Sequence, residues 1–166
     1  MANVTAFNES DLRSRGFTGF KAFGDLDLGD VPREPGVYAV LRSANSAHEV
    51  LDTSVGGWFK GADPTDDPAK LKGRLWDAPT LYIGKADAGT SSTRGLRKRI
   101  SEFAKFGQGL PVGHWGGRYI WQLSNSRDLR IAWLPVTNRS AKVVEDELLE
   151  EFFVAYGQLP FANLRR

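Results

Sequence analysis

Gly36-Val37-Tyr38-Ala39-Val40-Leu41-Arg42 is rich in residues that favour β-strands, and it predicts the first strand of a sheet. Pro32 and Pro35 precede it as a stiff lead-in, because proline restricts its own backbone and that of the residue before it. Further strands are predicted at 80–85 (Thr-Leu-Tyr-Ile-Gly-Lys) and 129–136, with an irregular strand at 119–123.

Two long helices are predicted from apolar residues that recur at helical spacing, one at 94–106 and one at 141–156. Glycine follows the last helical residue in both, which is a common helix stop signal. Residues 43–79 instead carry loop signals such as Gly-Gly and Asp-Pro, with one short helix predicted at 69–76. The elements therefore fall into two groups separated by a long irregular segment.

The composition is that of one ordinary globular domain of 166 residues, 41% of them hydrophobic. The absence of cysteine excludes disulfides and thiolate metal sites. No apolar run approaches the roughly 20 residues of a membrane span, and no signal-peptide core is found, so we expect no membrane partner and a cytoplasmic location. The net charge is only +2, but residues 94–105 hold five basic residues and one acid. This cluster suits contact with phosphates, and it would equally suit a solvated helix face.

Each long helix carries one charged residue on its apolar side. At about 100° per residue, Arg99 falls between Phe103 and Phe106, whereas its basic neighbours point away from them. Glu145 falls in the middle of the apolar stripe of the helix at 141–156. A buried charge without a partner is costly. Three arrangements fit the pattern: a buried Arg99–Glu145 ion pair without chemistry, a Glu145 that reaches open solvent near the start of its helix, or an active site that uses both groups.

Five fragments occur in order along the chain: Gly36-Val37-Tyr38, Tyr82-Ile83-Gly84, Arg99, Glu145 and Pro160-Phe161-Ala162-Asn163. In this order they resemble the GIY-YIG nuclease superfamily. The resemblance implies an α+β domain whose small central antiparallel sheet has three strands and is flanked by helices, with Tyr38 and Tyr82 facing one cleft. It also implies a single domain at 1–166, with an N-terminal extension at 1–35, a catalytic core at 36–163 and an inserted loop region at 43–79.

The chain departs from the family pattern in three places. The insertion separates the two tyrosine motifs, and a second extension at 87–93 lengthens the path to Arg99. Many relatives carry His or Tyr one helical turn after the arginine, where this chain has Phe103. Two interpretations of His114 stay open: it replaces that missing proton-handling group, or it is a loop histidine packed on Trp115.

The resemblance implies a metal-dependent hydrolysis of DNA. Glu145 would hold one divalent cation, Mg²⁺ or Mn²⁺, and Arg99 would clamp a phosphate oxygen. Tyr82, backed by Lys85 or His114, is the expected general base, with Tyr38 as the close alternative. Asn163 would support the site structurally and is a candidate to bond a tyrosine hydroxyl.

DNA is the expected partner, and five basic residues are predicted to contact it. They are Lys85, Arg94, Lys98, Lys105 and Arg118. The alternative is a nucleic-acid-binding module of the same fold that has weak or no catalysis, an interpretation that Phe103 motivates. A homodimer would supply a second active site for cutting both strands. A separate targeting partner would supply specificity for a DNA site.

Overall fold

The computed structural model describes residues 6–89 and 94–165. Its centre is a four-stranded antiparallel sheet of strand order β1-β4-β2-β3. The strands are β1 (Thr18–Ala22), β2 (Gly36–Leu41), β3 (Thr80–Ala86) and β4 (Arg130–Pro135). The α-helices of the described residues are α1 (Glu9–Ser14), α2 (Pro68–Arg74), α3 (Leu96–Gly107) and α4 (Ala141–Tyr156). Short 3₁₀ helices lie at Phe23–Asp25, Leu28–Asp30, Trp115–Gln122 and Ser126–Asp128.

The predicted α+β class and its three strands at 36–42, 80–85 and 129–136 are confirmed, as are both long helices. Parts of two predicted extensions lie outside the described residues: 1–5 of the N-terminal extension and 90–93 of the segment after β3.

The side chains of β2 alternate between two apolar cores on opposite faces of the sheet. Tyr38 and Val40 face the core that contains the apolar residues of α3. Val37 and Ala39 face the core that contains the apolar residues of α4. This alternation is the ordinary geometry of a strand, and here both faces are covered. It places α3 and α4 on opposite faces of the sheet, with Tyr38 on the α3 side.

The predicted number of strands is wrong, because β1 pairs with β4 and makes a fourth strand. Its pairing shifts between Gly19 and Lys21, and both Gly19 (φ 98°) and Phe20 (φ 55°) have a positive φ. A bulge of this kind interrupts the two-residue alternation on which strand prediction depends. The segment therefore gives no strand pattern in the sequence.

The irregular strand predicted at 119–123 is also wrong, because most of these residues belong to the 3₁₀ helix Trp115–Gln122. Four consecutive residues of this helix, from Tyr119 to Gln122, are buried. A short run in which every side chain is buried has no period, so strand and helix cannot be distinguished in it.

The predicted insertion packs against this 3₁₀ helix. The main-chain N–H of Val55 donates to the carbonyl of Trp121 at 2.9 Å. At the other end of the insertion, Arg74 of α2 donates to the carbonyl of Asn163 at 2.9 Å. The insertion therefore supports the C-terminal turn of the chain.

Candidate active site

One cleft brings together the side chains that the sequence singled out. This cleft, the main cleft, has a volume of about 480 Å³. Its lining includes the predicted catalytic residues Tyr38, Tyr82, Arg99 and Glu145, and the predicted DNA contacts Lys85 and Arg94. Arg99 comes from α3 and Glu145 from α4, so the two helices meet the same cleft from opposite faces of the sheet.

The glycines of the two tyrosine motifs leave room for close packing. Gly84 lies opposite Tyr38 in the β2–β3 pairing. A Cβ atom on Gly84 would lie 2.5 Å from the Cζ atom of Tyr38 and 2.6 Å from its hydroxyl oxygen. At Gly36, a Cβ atom would lie 2.2 Å from the carbonyl oxygen of Leu134. A side chain at either position would be too close to its neighbours, so both positions require glycine. Gly84 in this way allows Tyr38 to lie across β3.

His114 is fully buried and contacts Tyr38. Its Nε2 atom lies 2.6 Å from the Tyr38 hydroxyl oxygen. Its ring stacks on Phe103 with 4.1 Å between centroids, whereas one of the two open interpretations of His114 placed it on Trp115. Burial, with a smaller effect from Arg99, lowers the pKa of His114 well below its ordinary value. His114 is therefore a neutral imidazole at physiological pH.

Both motif phenols are protonated in this environment. Burial raises the pKa of Tyr38 well above its ordinary value, and the neighbouring Tyr82 raises it further. Burial likewise raises the pKa of Tyr82 to about 12, although the positive charge of Arg99 opposes the shift. A phenol that acts as a base here needs a group that takes its proton. His114 is hydrogen-bonded to Tyr38, whereas the prediction placed it behind Tyr82.

Arg99 is held at the wall of the main cleft by two contacts from one nitrogen. Its Nη1 atom donates to the carbonyl of Gly113 at 2.6 Å and to the Glu102 carboxylate at 3.3 Å. Its side chain is 27% exposed. The ion pair thus forms with Glu102, one turn along α3, and the predicted alternative of a buried pair with Glu145 is wrong for the described part of the chain.

Glu145 presents a carboxylate to the main cleft with little compensation. Its side chain is 16% exposed, and Lys142 lies 3.9 Å from it. Burial raises the pKa of the Glu145 carboxyl group, which Lys142 and Lys85 partly oppose. Such a half-buried carboxylate is stabilised by any further cation that enters the cleft.

Asn163 fastens the C-terminal turn to β3. Its side-chain oxygen accepts from the Ile83 N–H at 2.9 Å, and its side-chain nitrogen donates to the Ile83 carbonyl at 2.8 Å. These two bonds occupy the amide group, so it supports the strand beside Tyr82, and the predicted bond to a tyrosine hydroxyl is not the one it forms.

The five predicted DNA contacts fall into three places. Lys85 and Arg94 line the main cleft, where they pair with Asp87 and with Glu102 (2.7 Å), respectively. Lys98 and Lys105 are exposed on α3, outside the lining of that cleft. Arg118 lies over the ring of Trp115, 4.7 Å from its centroid. The five residues thus do not form one common surface: two line the main cleft, two are exposed on α3, and one lies over Trp115.

Arg118 lines a second cleft of about 490 Å³ that adjoins the main one. Tyr82 and Glu145 belong to the lining of both clefts. The second cleft also includes Trp115 and Arg165. Together the two clefts make a groove that passes the tyrosine and glutamate positions.

Sequence reasoning missed Asp87, a second carboxylate in the main cleft. Its position just beyond the end of β3, two residues after Lys85, was the available signal, because residues at strand ends often line sites. The role of Gly117 was also not predicted. A Cβ atom on Gly117 would lie 2.9 Å from the His114 ring, so the glycine leaves room for that ring. No local sequence pattern predicts a contact of this kind.

The described residues, 6–89 and 94–165, contain no group of three or more His, Asp or Glu side chains placed to bind a metal. Within the same residues, no helix has the length and apolar character needed to cross a membrane. No protein-family model matches the chain, and neither the curated proteins nor the solved structures include a significant match. Membership of the GIY-YIG superfamily therefore stays a prediction from the motifs.

Proposed function

We propose that this chain is a metal-dependent endonuclease of the GIY-YIG type that hydrolyses phosphodiester bonds in DNA. The observation that carries the proposal is the shared cleft: Tyr38, Tyr82, Arg99 and Glu145 come from four separate elements and line one space. In this proposal β2, β3 and β4 are the three strands of the family sheet, and β1 is an added edge strand.

Glu145 is the group that would hold a divalent cation, Mg²⁺ or Mn²⁺. Its half-buried carboxylate, with Lys142 no closer than 3.9 Å, fits this role. Magnesium is commonly bound by one or two carboxylates, with substrate phosphates and water completing its ligands, so a cluster of three acids is not required. When bound, the cation would act as a Lewis acid on the phosphate and stabilise the leaving oxygen.

Arg99 would orient the phosphate. Its contacts with Gly113 and Glu102 both use Nη1, and the described residues leave Nε and Nη2 for a phosphate oxygen. The fixed fork of a guanidinium suits two parallel bonds to phosphate, which a lysine cannot make. The carbonyl of Gly113 and the Glu102 carboxylate hold the side chain in place before substrate arrives.

We assign proton transfer to Tyr38 together with His114. As the phenolic proton passes to Nε2 of neutral His114, the Tyr38 oxygen takes a proton from the attacking water, whose oxygen bonds to phosphorus as the leaving oxygen departs. The 2.6 Å contact supports this order. The lowered pKa of His114 leaves the resting imidazole unprotonated, although the same shift makes the proton transfer from Tyr38 energetically uphill. The role requires the tautomer with its proton on Nδ1. Phe103 then serves as the flat surface that holds the imidazole.

A second candidate function is nucleic-acid binding without strong catalysis. The raised pKa of both phenols favours it, because neither Tyr38 nor Tyr82 is a base in the environment described. The two candidates differ in what Glu145 does, since binding alone has no use for a carboxylate among cationic residues.

The test is the nicking of supercoiled plasmid DNA with Mg²⁺, with Mn²⁺ and with a chelator. Glu145→Ala should reduce nicking at least about 100-fold while DNA binding in a gel is retained, because the metal ligand is lost. Glu147→Ala is the matched control, since Glu147 lies on the exposed side of α4 and pairs with Arg139. Nicking by Glu145→Ala at the unmodified rate would overturn the assignment. DNA binding without cutting under any metal would favour the binding module.

A further inference from the structure

The second cleft continues the main cleft beyond the reacting groups. The two share Tyr82 and Glu145, and each has a volume of nearly 500 Å³ (about 480 Å³ and 490 Å³). Spaces of this size hold small-molecule ligands or single building blocks of a polymer. Gly116 lines the second cleft, and a Cβ atom on it would lie 3.7 Å from the Tyr82 hydroxyl oxygen. Gly116 therefore adjoins Tyr82, one of the two residues that line both clefts.

Arg118 is the preorganised cation of this second cleft. Its guanidinium lies 4.7 Å from the ring centroid of Trp115 and 5.1 Å from that of Tyr119. Its Nη1 atom donates to the carbonyl of Trp115 at 3.1 Å. Two aromatic faces and one carbonyl thus fix the group without neutralising it.

The cations of the main cleft differ from Arg118 in their partners. Lys85 pairs with Asp87, whereas Arg94 and Arg99 both contact Glu102. Among the described residues, Arg118 contacts two aromatic rings and one carbonyl, and it forms no salt bridge. A phosphate that reaches the second cleft therefore meets a positive charge that does not first have to leave a carboxylate.

We infer that the second cleft binds the nucleotide next to the one that is cut, with Arg118 holding its phosphate. This inference rests on the proposed function and narrows it: the strand beside the cut lies in the second cleft, whereas a mononucleotide ester fills only the main cleft. Arg165 in the same lining adds a second positive charge. The strand passes Tyr82 and Glu145 on its way from one cleft to the other.

Fluorescence anisotropy with a labelled single-stranded DNA 12-mer at several salt concentrations tests the binding part. Arg118→Gln should weaken binding about 10-fold and reduce the slope of log affinity against log salt by about 0.7, the value for one lost phosphate contact on a single strand. Arg118→Lys should keep the slope, because the charge remains. Arg127→Gln is the matched control: it removes one arginine charge from a separate cleft. A slope that Arg118→Gln leaves unchanged would overturn the inference.

Cleavage separates the inference from the function on which it rests. With the 12-mer, Arg118→Gln should lower kcat/KM about 10-fold, whereas hydrolysis of bis(4-nitrophenyl) phosphate should stay within about twofold, since this ester occupies the main cleft alone. An equal loss on both substrates would overturn the subsite. If the wild-type chain cuts neither substrate but Arg118→Gln still changes the salt slope, the subsite stands and the nuclease function falls. If the wild type and Arg118→Gln cut the 12-mer equally well, the nuclease function stands and the subsite falls.

Discussion

Replacing Gly84 with alanine tests whether the glycine of the second motif exists to seat Tyr38. In a strand with free space, alanine should stabilise the protein by about 0.5–1 kcal/mol over glycine. Here the added Cβ would lie 2.5 Å from the Cζ atom of Tyr38, whose side chain is fully buried. Overpacking a core in this way costs about 1–3 kcal/mol. The cost exceeds the gain, so Gly84→Ala should lower the free energy of unfolding by about 1–2 kcal/mol.

Urea unfolding followed by tryptophan fluorescence measures this change, and thermal unfolding should show a decrease of about 2–8 °C for a protein of this size. Gly73→Ala is the matched control, because Gly73 lies in α2 and a Cβ atom there would have no neighbour within 4 Å. That substitution should be neutral or stabilise by up to about 1 kcal/mol. If Gly84→Ala leaves stability unchanged or raises it, Tyr38 does not occupy the position described, and the contact between Tyr38 and His114 loses its support.

Two further predictions concern the groups around Tyr38. His114 has a lowered folded pKa, so below its ordinary value of about 6.5 the unfolded state binds the additional proton and stability falls as pH falls towards the folded pKa, by up to about 1.4 kcal/mol per pH unit. Urea titrations at pH 7.5 and pH 5.5 should show this loss, and His114→Gln should lack that part of it; equal pH dependence in both proteins would contradict a buried neutral imidazole. Tyr38→Phe should reduce DNA cleavage about 100-fold or more, and Tyr82→Phe should reduce it less, because only Tyr38 has the 2.6 Å contact to His114. The reverse order in single-turnover cleavage assays would return the base role to Tyr82.

Local patterns predicted the parts of the fold that are regular. The strand at 36–42 and the helix at 141–156 have a strong apolar pattern, and the structure has β2 and α4 there. β1 escaped prediction because Gly19 and Phe20 adopt positive φ angles at a bulge, which removes the alternation. The irregular backbone of β1 depends on its pairing with β4. The sequence of β1 alone does not indicate which strand will pair with it.

For the charged residues too, local patterns predicted one part of the arrangement and missed another. Helical geometry correctly placed Arg99 and Glu145 on the inner sides of their helices, and both line the main cleft. It did not predict that Arg99 would pair with Glu102, which lies three residues away on the same helix. Side-chain pairing is decided by short distances, and periodicity alone gives directions without distances.

By itself, the sequence determined which residues are chemically unusual: two tyrosines in strands, and one arginine and one glutamate on apolar helix faces. Only the tertiary structure decided their partners. It placed His114 on Tyr38, fixed Asn163 to β3 and joined the two clefts at Tyr82. The physical reason is range: propensity and periodicity act over a few residues, whereas His114 and Tyr38 are 76 residues apart in the chain and meet only when the whole sheet and α3 have packed.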